Sequence, residues 1–153
     1  ACVYYFFFTH HASHMPNVLH TGHNVNIAAD LSTSKLSIFV SVAAFRDPRC
    51  PATLYSLFKN ATYPERLYVG LVQQRDPEED IDCVEELCKL WDGPGCPIDR
   101  IRVIEKFYKE AKGPCIARYL ASTLFEQEDY FLQIDAHSTF GTDWDETILW
   151  HIT

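Results

Sequence analysis

Between Leu36 and Ile134, short β-branched or apolar runs alternate with segments of helical period, and this alternation restricts the chain to an α/β architecture. Leu36 to Ala44 reads as a strand closed by the turn chemistry of Phe45-Arg46-Asp47-Pro48. Pro51 can occupy the first turn of a helix in which Leu54, Leu57 and Phe58 recur at helical spacing, and Leu67 to Val72 follows as a buried strand. An acidic segment then places Ile81, Val84, Leu87, Cys88 and Trp91 on one helix face, with carboxylates in the first turn and Lys89 near the end. Asp92-Gly93-Pro94-Gly95 stops that helix, and Ile101 to Glu105 is a short strand of alternating or edge character. Gly113-Pro114 opens a helix with Ile116, Leu120 and Leu124 in register, and Tyr130 to Ile134 is the next strand. Beyond Gly141, a Thr142-x-x-Asp145 cap introduces a helix carrying Trp144, Ile148 and Leu149. The expected fold is an open, mostly parallel sheet with right-handed crossovers.

Composition narrows the partners. With 153 residues, 47% of them hydrophobic, the chain can bury the core of one domain. A formal charge of -8 excludes binding to nucleic acid as the main role, because that affinity comes from neutralising phosphates with Lys and Arg. Small molecules or proteins are the expected partners. The charge is uneven: eight Asp or Glu fall between Asp76 and Asp92, whereas residues 100–118 hold six Lys or Arg. No run approaches the roughly 18 apolar residues of a membrane-spanning helix, and Val3 to Phe8 lacks the basic flank of a signal or anchor segment. Residues 1–35, with five His among small and polar residues, read as a poorly ordered lead or stem, and residues 36–153 as the folded part. Six cysteines without a C-x-x-C pair read as free buried thiols. Asn60-Ala61-Thr62 fits the glycosylation sequon, which matters only in a secretory lumen.

Ligands of open α/β sheets bind outside the carboxyl ends of the strands. The residues expected there are Phe45-Arg46-Asp47, Gln73-Gln74, Phe107-Tyr108 and Asp135-Ala136-His137. In the last group a carboxylate and an imidazole, one residue apart, can share a divalent ion that keeps open positions for a diphosphate. The plainer alternative is an Asp that caps a turn beside an exposed His. Lys112-Gly113-Pro114-Cys115-Ile116-Ala117-Arg118, one element earlier, adds free helix-start amides and a guanidinium suited to an anion. Arg118 can equally serve as the partner of a nearby carboxylate. No G-x-S-x-G, G-x-x-x-x-G-K-[ST] or G-x-G-x-x-G motif occurs, which argues against serine-hydrolase and Gly-rich nucleotide-loop folds.

The runs Phe39 to Pro48, Gly113 to Arg118 and Gln133 to Phe140 together resemble glycosyltransferase family 60, the polypeptide and hydroxyproline N-acetylglucosaminyltransferases. Arg118 followed by a strand ending in Asp-x-His, with Trp144 beyond, is also similar to the mucin-type polypeptide GalNAc-transferases. The resemblance implies a Rossmann-like GT-A fold, UDP-GlcNAc as donor, Mn²⁺ or another divalent cation, a protein or peptide acceptor, and retaining transfer to Ser, Thr or hydroxyproline. Carried over by position, it assigns Asp135 and His137 to the metal. It places Ala44, Phe45, Arg46, Gly113, Arg118, Asp135 and Ala136 at the sugar nucleotide. At the end of the second strand Gln73 and Gln74 stand where related enzymes often have an acidic residue toward the uracil. The resemblance further implies that residues 36–153 are the N-terminal, donor-binding part of the catalytic domain. Acceptor groups and a further metal ligand are then expected beyond Thr153, so the fragment alone would bind the donor weakly without turnover. A catalytically inactive relative acting as a binding module is the alternative. Family members occur in both cytosol and Golgi lumen, so the compartment stays open between them.

Overall fold

The structure, a computed structural model, describes residues 36–152 and the backbone of Phe6–Phe8. In chain order the elements are β1 (Phe6–Phe8), β2 (Ile38–Phe45), α1 (Cys50–Lys59), β3 (Leu67–Arg75), α2 (Cys83–Leu90), β4 (Ile101–Phe107), α3 (Pro114–Ser122), β5 (Tyr130–Asp135) and α4 (Trp144–Ile152). They build a five-stranded sheet in the order β1-β5-β2-β3-β4. The four strands from β2 to β5 run parallel, while β1 pairs antiparallel with β5 through Phe7 opposite Phe131. Of the lead over residues 1–35, the rest lies outside the described residues. Among those described, no helix is long and apolar enough to cross a membrane.

Strand register follows from the side-chain period of two. Ile38, Val40, Val42 and Ala44 of β2 and Leu67, Val69 and Leu71 of β3 pack with Leu54, Leu57 and Phe58 of α1 and Leu87 of α2. The opposite face is thinner, with Val72 packed against Ala117 and Ala121 of α3. Ala43 pairs with Val72 on one side and Asp135 on the other, so β2, β3 and β5 end close to one level. β4, at the sheet edge, is mostly exposed beyond Ile101, which matches its expected edge character.

Where helix α3 differs from expectation, close approach is the cause. Its buried residues are Ala117 and Ala121, while Ile116 is 45% exposed. Only small side chains fit, because α3 lies against Gly70 and the Phe39 ring. A Cβ on Gly70 would fall 2.2 Å from Cζ of Phe39 and 2.9 Å from the Ala121 carbonyl oxygen. Phe39 is fully buried and packs edge-on against Phe125 and tilted against Phe131, so its ring has little room to yield. Gly70→Ala is therefore expected to destabilise by about 1–3 kcal/mol or more through overpacking. A urea midpoint equal to that of the wild type would contradict this packing.

Three further expectations change in detail. β3 continues to Arg75, so Gln73 and Gln74 are strand residues rather than the first residues past it. α2 begins at Cys83 because Asp82 caps it, accepting from the amides of Val84 and Glu85, which leaves residues 76–81 as loop and Ile81 42% exposed. α4 starts at Trp144, and Asp145 turns inward to Arg66 rather than back to Thr142. The cysteines differ most. Cys50–Cys83 and Cys88–Cys96 are disulfides, with Cα separations of 5.6 and 5.4 Å, and Cys115 is free and exposed. A spacing without C-x-x-C hides such pairs, because the helix starts that bring Cys50 and Cys83 together are 33 residues apart.

Candidate functional site at the strand ends

The loop after β2 is bent back on the sheet. Arg46 adopts φ 45°, a conformation uncommon for a residue with a side chain, and its amide donates to the Gln74 carbonyl at 2.9 Å. The guanidinium of Arg46 is clamped by Asp80 at 2.8 Å and Glu79 at 3.0 Å, and it lies 4.4 Å over the Tyr108 ring. The hydrogen bond to Asp80 raises the pKa of Arg46 further. In return the Asp76 amide, then Arg46, hold the Asp80 carboxyl below its usual range. The carboxylates of the loop before α2 thus fasten the end of β2.

Gln73 points to the α1–α2 side. Its Nε2 donates to Asp82 at 3.0 Å and its Oε1 accepts from the Cys83 amide at 2.6 Å. Both ends of that amide are engaged in holding the start of α2, a role different from the base contact suggested by its place in the chain. A cavity of about 190 Å³ lies beside it, lined by Ala44, Arg46, Gln73, Gln74 and the disulfide residues Cys50 and Cys83. A second cavity, of about 410 Å³, opens on the α3 side between Ala43, Phe45, Gln74, Gly113, Pro114 and Ala117. The expected nucleotide residues are consequently divided between the two faces of the sheet. Ala44, Arg46 and Gln73 line the smaller cavity, Phe45 and Gly113 the larger one, and Gln74 borders both.

At the larger cavity Gly113 takes φ 90°, which glycine tolerates without strain, and turns the chain into α3. One turn into that helix Arg118 donates from Nη2 to Oδ1 of Asp135 at 3.0 Å. Of the two readings open for Arg118, the carboxylate partner is the one seen, and that carboxylate belongs to the Asp-x-His segment itself.

Asp135 is the last residue of β5. The buried Ala136 anchors the segment, its carbonyl accepting from Thr53 Oγ1 of α1 at 2.8 Å, and the Ser138 hydroxyl donates to the Asp135 carbonyl at 2.9 Å. Past this anchor His137 Nδ1 lies 3.0 Å from Oδ2 of Asp47. Asp47 also accepts from Arg49, from the amide at 3.0 Å and the side chain at 3.1 Å. Burial pushes the Asp47 carboxyl up, but the bonds from Arg49 and His137 outweigh it and hold the pKa below its usual range. The Asp135 carboxylate thus reaches α3, and the His137 imidazole reaches the loop after β2.

The donor chemistry fits a divalent cation such as Mn²⁺. Asp135 would offer carboxylate oxygen, and His137, whose Nδ1 lies beside Asp47, would offer Nε2, an arrangement common for metal-binding histidines. Among the described residues no cluster of three or more His, Cys, Asp or Glu could hold a metal ion, so these two would leave most coordination positions to a ligand's oxygens and water. Asp47 and Tyr108 stood among the strand-end residues in the sequence, yet nothing there disclosed their partners. Glu79 and Asp80 carried no local signal, because their role depends on a loop folding back over β2.

Residues 37–99 and 94–153 match the family described as Glycosyltransferase (GlcNAc), a span that takes in every described strand from β2 onward and the whole strand-end cluster. No curated protein matches the chain. With an α/β sheet of mostly parallel strands and a family match across most of its length, the chain belongs to the glycosyltransferase (GlcNAc) family.

Proposed function

We propose that the chain is the donor-binding part of a UDP-GlcNAc-dependent glycosyltransferase of the GT-A type, which transfers N-acetylglucosamine to a Ser, Thr or hydroxyproline hydroxyl of a protein with retention at the anomeric carbon. The observation that carries this reading is the junction at the end of β5, where Asp135 is paired with Arg118 and His137 with Asp47 beside the end of β2. Family membership supports a GlcNAc transferase, and the finer choices of nucleotide, metal and acceptor follow the resemblance of the three sequence runs.

In this reading Asp135 and His137 hold a divalent cation, which when bound would neutralise charge on a departing diphosphate. Arg118, fixed by Asp135 at 3.0 Å, supplies positive charge from α3, the helix whose start lines the 410 Å³ cavity. The start of α3 adds amides from a turn set by Gly113, and the helix dipole favours an anion there. Gln74 and Phe45 border the cavity where a base and ribose would lie, with the 55% exposed Phe45 ring offering an apolar face. Gln73 serves by holding Cys83 and Asp82 and so shaping the neighbouring loop. The two disulfides support an oxidising compartment, which favours the Golgi lumen over the cytosol.

Competition calorimetry with Mn²⁺ present tests the donor. UDP-GlcNAc and UDP are expected to bind competitively, with ADP and GDP at least 10-fold weaker, on the order of the discrimination a few buried hydrogen bonds provide. Equal binding of all three diphosphates would remove the uridine assignment.

A further inference from the structure

Asp47 links the loop after β2 to the end of β5. Its Oδ2 lies 3.0 Å from Nδ1 of His137, across 90 residues of chain. The carboxylate is itself set in place before it meets the imidazole. Oδ1 accepts from the Arg49 amide at 3.0 Å and from Arg49 Nε at 3.1 Å, and Oδ2 accepts from Arg49 Nη2 at 3.3 Å. The Asp47 side chain is only 13% exposed, whereas His137 is 43% exposed. The pair therefore consists of a fixed, shielded acceptor and a ring that still reaches solvent.

An ionised carboxylate can only accept, so the proton of a neutral His137 ring must sit on Nδ1, and Nε2 is left with a lone pair. The same bond fixes the plane of the ring and increases its electron donation to a metal. Oriented by Arg49 on one side and spent on His137 on the other, Asp47 has the features of a group that prepares a ligand. We infer that Asp47 is a positioning residue for the divalent-cation site: it locks His137 in the Nδ1–H tautomer and so presents Nε2 to the cation. This inference rests on the reading of Asp135 and His137 as metal ligands.

The test uses the protein as expressed, with Mn²⁺ alone as the probe, and two readouts. Long-range proton–nitrogen correlation spectra of ¹⁵N-histidine-labelled, metal-free protein at about pH 8, where an ordinary imidazole is neutral, report the tautomer. Free Mn²⁺ measured by electron paramagnetic resonance reports affinity. The wild type should show the Nδ1–H form of His137. Asp47→Ala should lose that form and weaken Mn²⁺ binding about 10- to 100-fold, as loss of such a partner does elsewhere. Asp47→Asn, whose amide oxygen still accepts from Nδ1–H, should keep the tautomer and lose less affinity, and thermal melts check that both variants are folded. His137→Ala should bind at least as weakly as Asp47→Ala. If His137→Ala weakens Mn²⁺ binding while Asp47→Ala leaves both affinity and tautomer unchanged, the positioning role is overturned and the metal site stands. If His137→Ala and Asp135→Ala both bind Mn²⁺ as the wild type does, the metal reading fails, and this role fails with it.

Discussion

Asp145→Ala is expected to lower the free energy of unfolding by about 3–5 kcal/mol, the usual cost of breaking a buried ion pair from one side. Asp145 has no exposed side-chain surface and stands in the first turn of α4. Its carboxylate accepts from the amides of Thr62 and Tyr63 at 2.8 and 3.0 Å and from Arg66 Nη2 at 3.0 Å. Truncation would strand two backbone donors and leave Arg66, itself 9% exposed, with Glu146 as its remaining carboxylate partner. The pH dependence follows from the same contacts. Burial by itself raises the Asp145 pKa, but the two amides and Arg66 together bring it below its ordinary value. The carboxylate's contribution is then complete above the pKa of an unfolded Asp and is lost as pH falls through the depressed folded value. Thermal melts of the wild type should drop steeply in acid, whereas those of Asp145→Ala should start lower at neutral pH and fall less. Parallel curves would show that Asp145 is not the group that couples folding to protons.

Removing the Cys50–Cys83 disulfide as a Cys50→Ala, Cys83→Ala pair is expected to cost about 3–4 kcal/mol, the chain-entropy value for ends 33 residues apart. Removing Cys88–Cys96, with a separation of 8, should cost less. The first bridge also ties the start of α1 to the start of α2 and lines the 190 Å³ cavity beside Gln73. Its loss should therefore loosen the loop of Glu79 and Asp80 that clamps Arg46. Guanidinium unfolding of the two double variants would show the order directly. A larger loss for the Cys88–Cys96 variant, or four more titratable thiols in the native wild type than the free cysteines provide, would contradict the pairing.

The fold was legible in the sequence to the extent that it depended on local pattern. Val40 and Val42 on one face of β2, and Leu54, Leu57 and Phe58 at helical spacing, carry their burial in their period. What depended on meetings between distant segments was hidden. Ile116 looked like a core residue, yet contact with Gly70 selects Ala117 and Ala121 instead. Asp145 looked like half of a cap, yet Arg66 draws it inward. The candidate site divides in the same way. Asp135 and His137 stood out because they leave a strand together, and Arg118 because it opens a helix. Their partners could not be read, since Asp47 meets His137 only when β2 lies beside β5. Gln73 was misplaced for a simpler reason: β3 runs to Arg75, and its last polar residues had looked like loop.

Isothermal calorimetry of UDP in the presence and absence of Mn²⁺, on the wild type and on Asp135→Ala with His137→Ala, tests the proposed donor site most directly. The proposal predicts Mn²⁺-dependent UDP binding by the wild type and at least a 100-fold loss in the double variant, as expected when both ligands of a cation and one partner of Arg118 are removed. UDP binding of unchanged affinity in the folded double variant would contradict it.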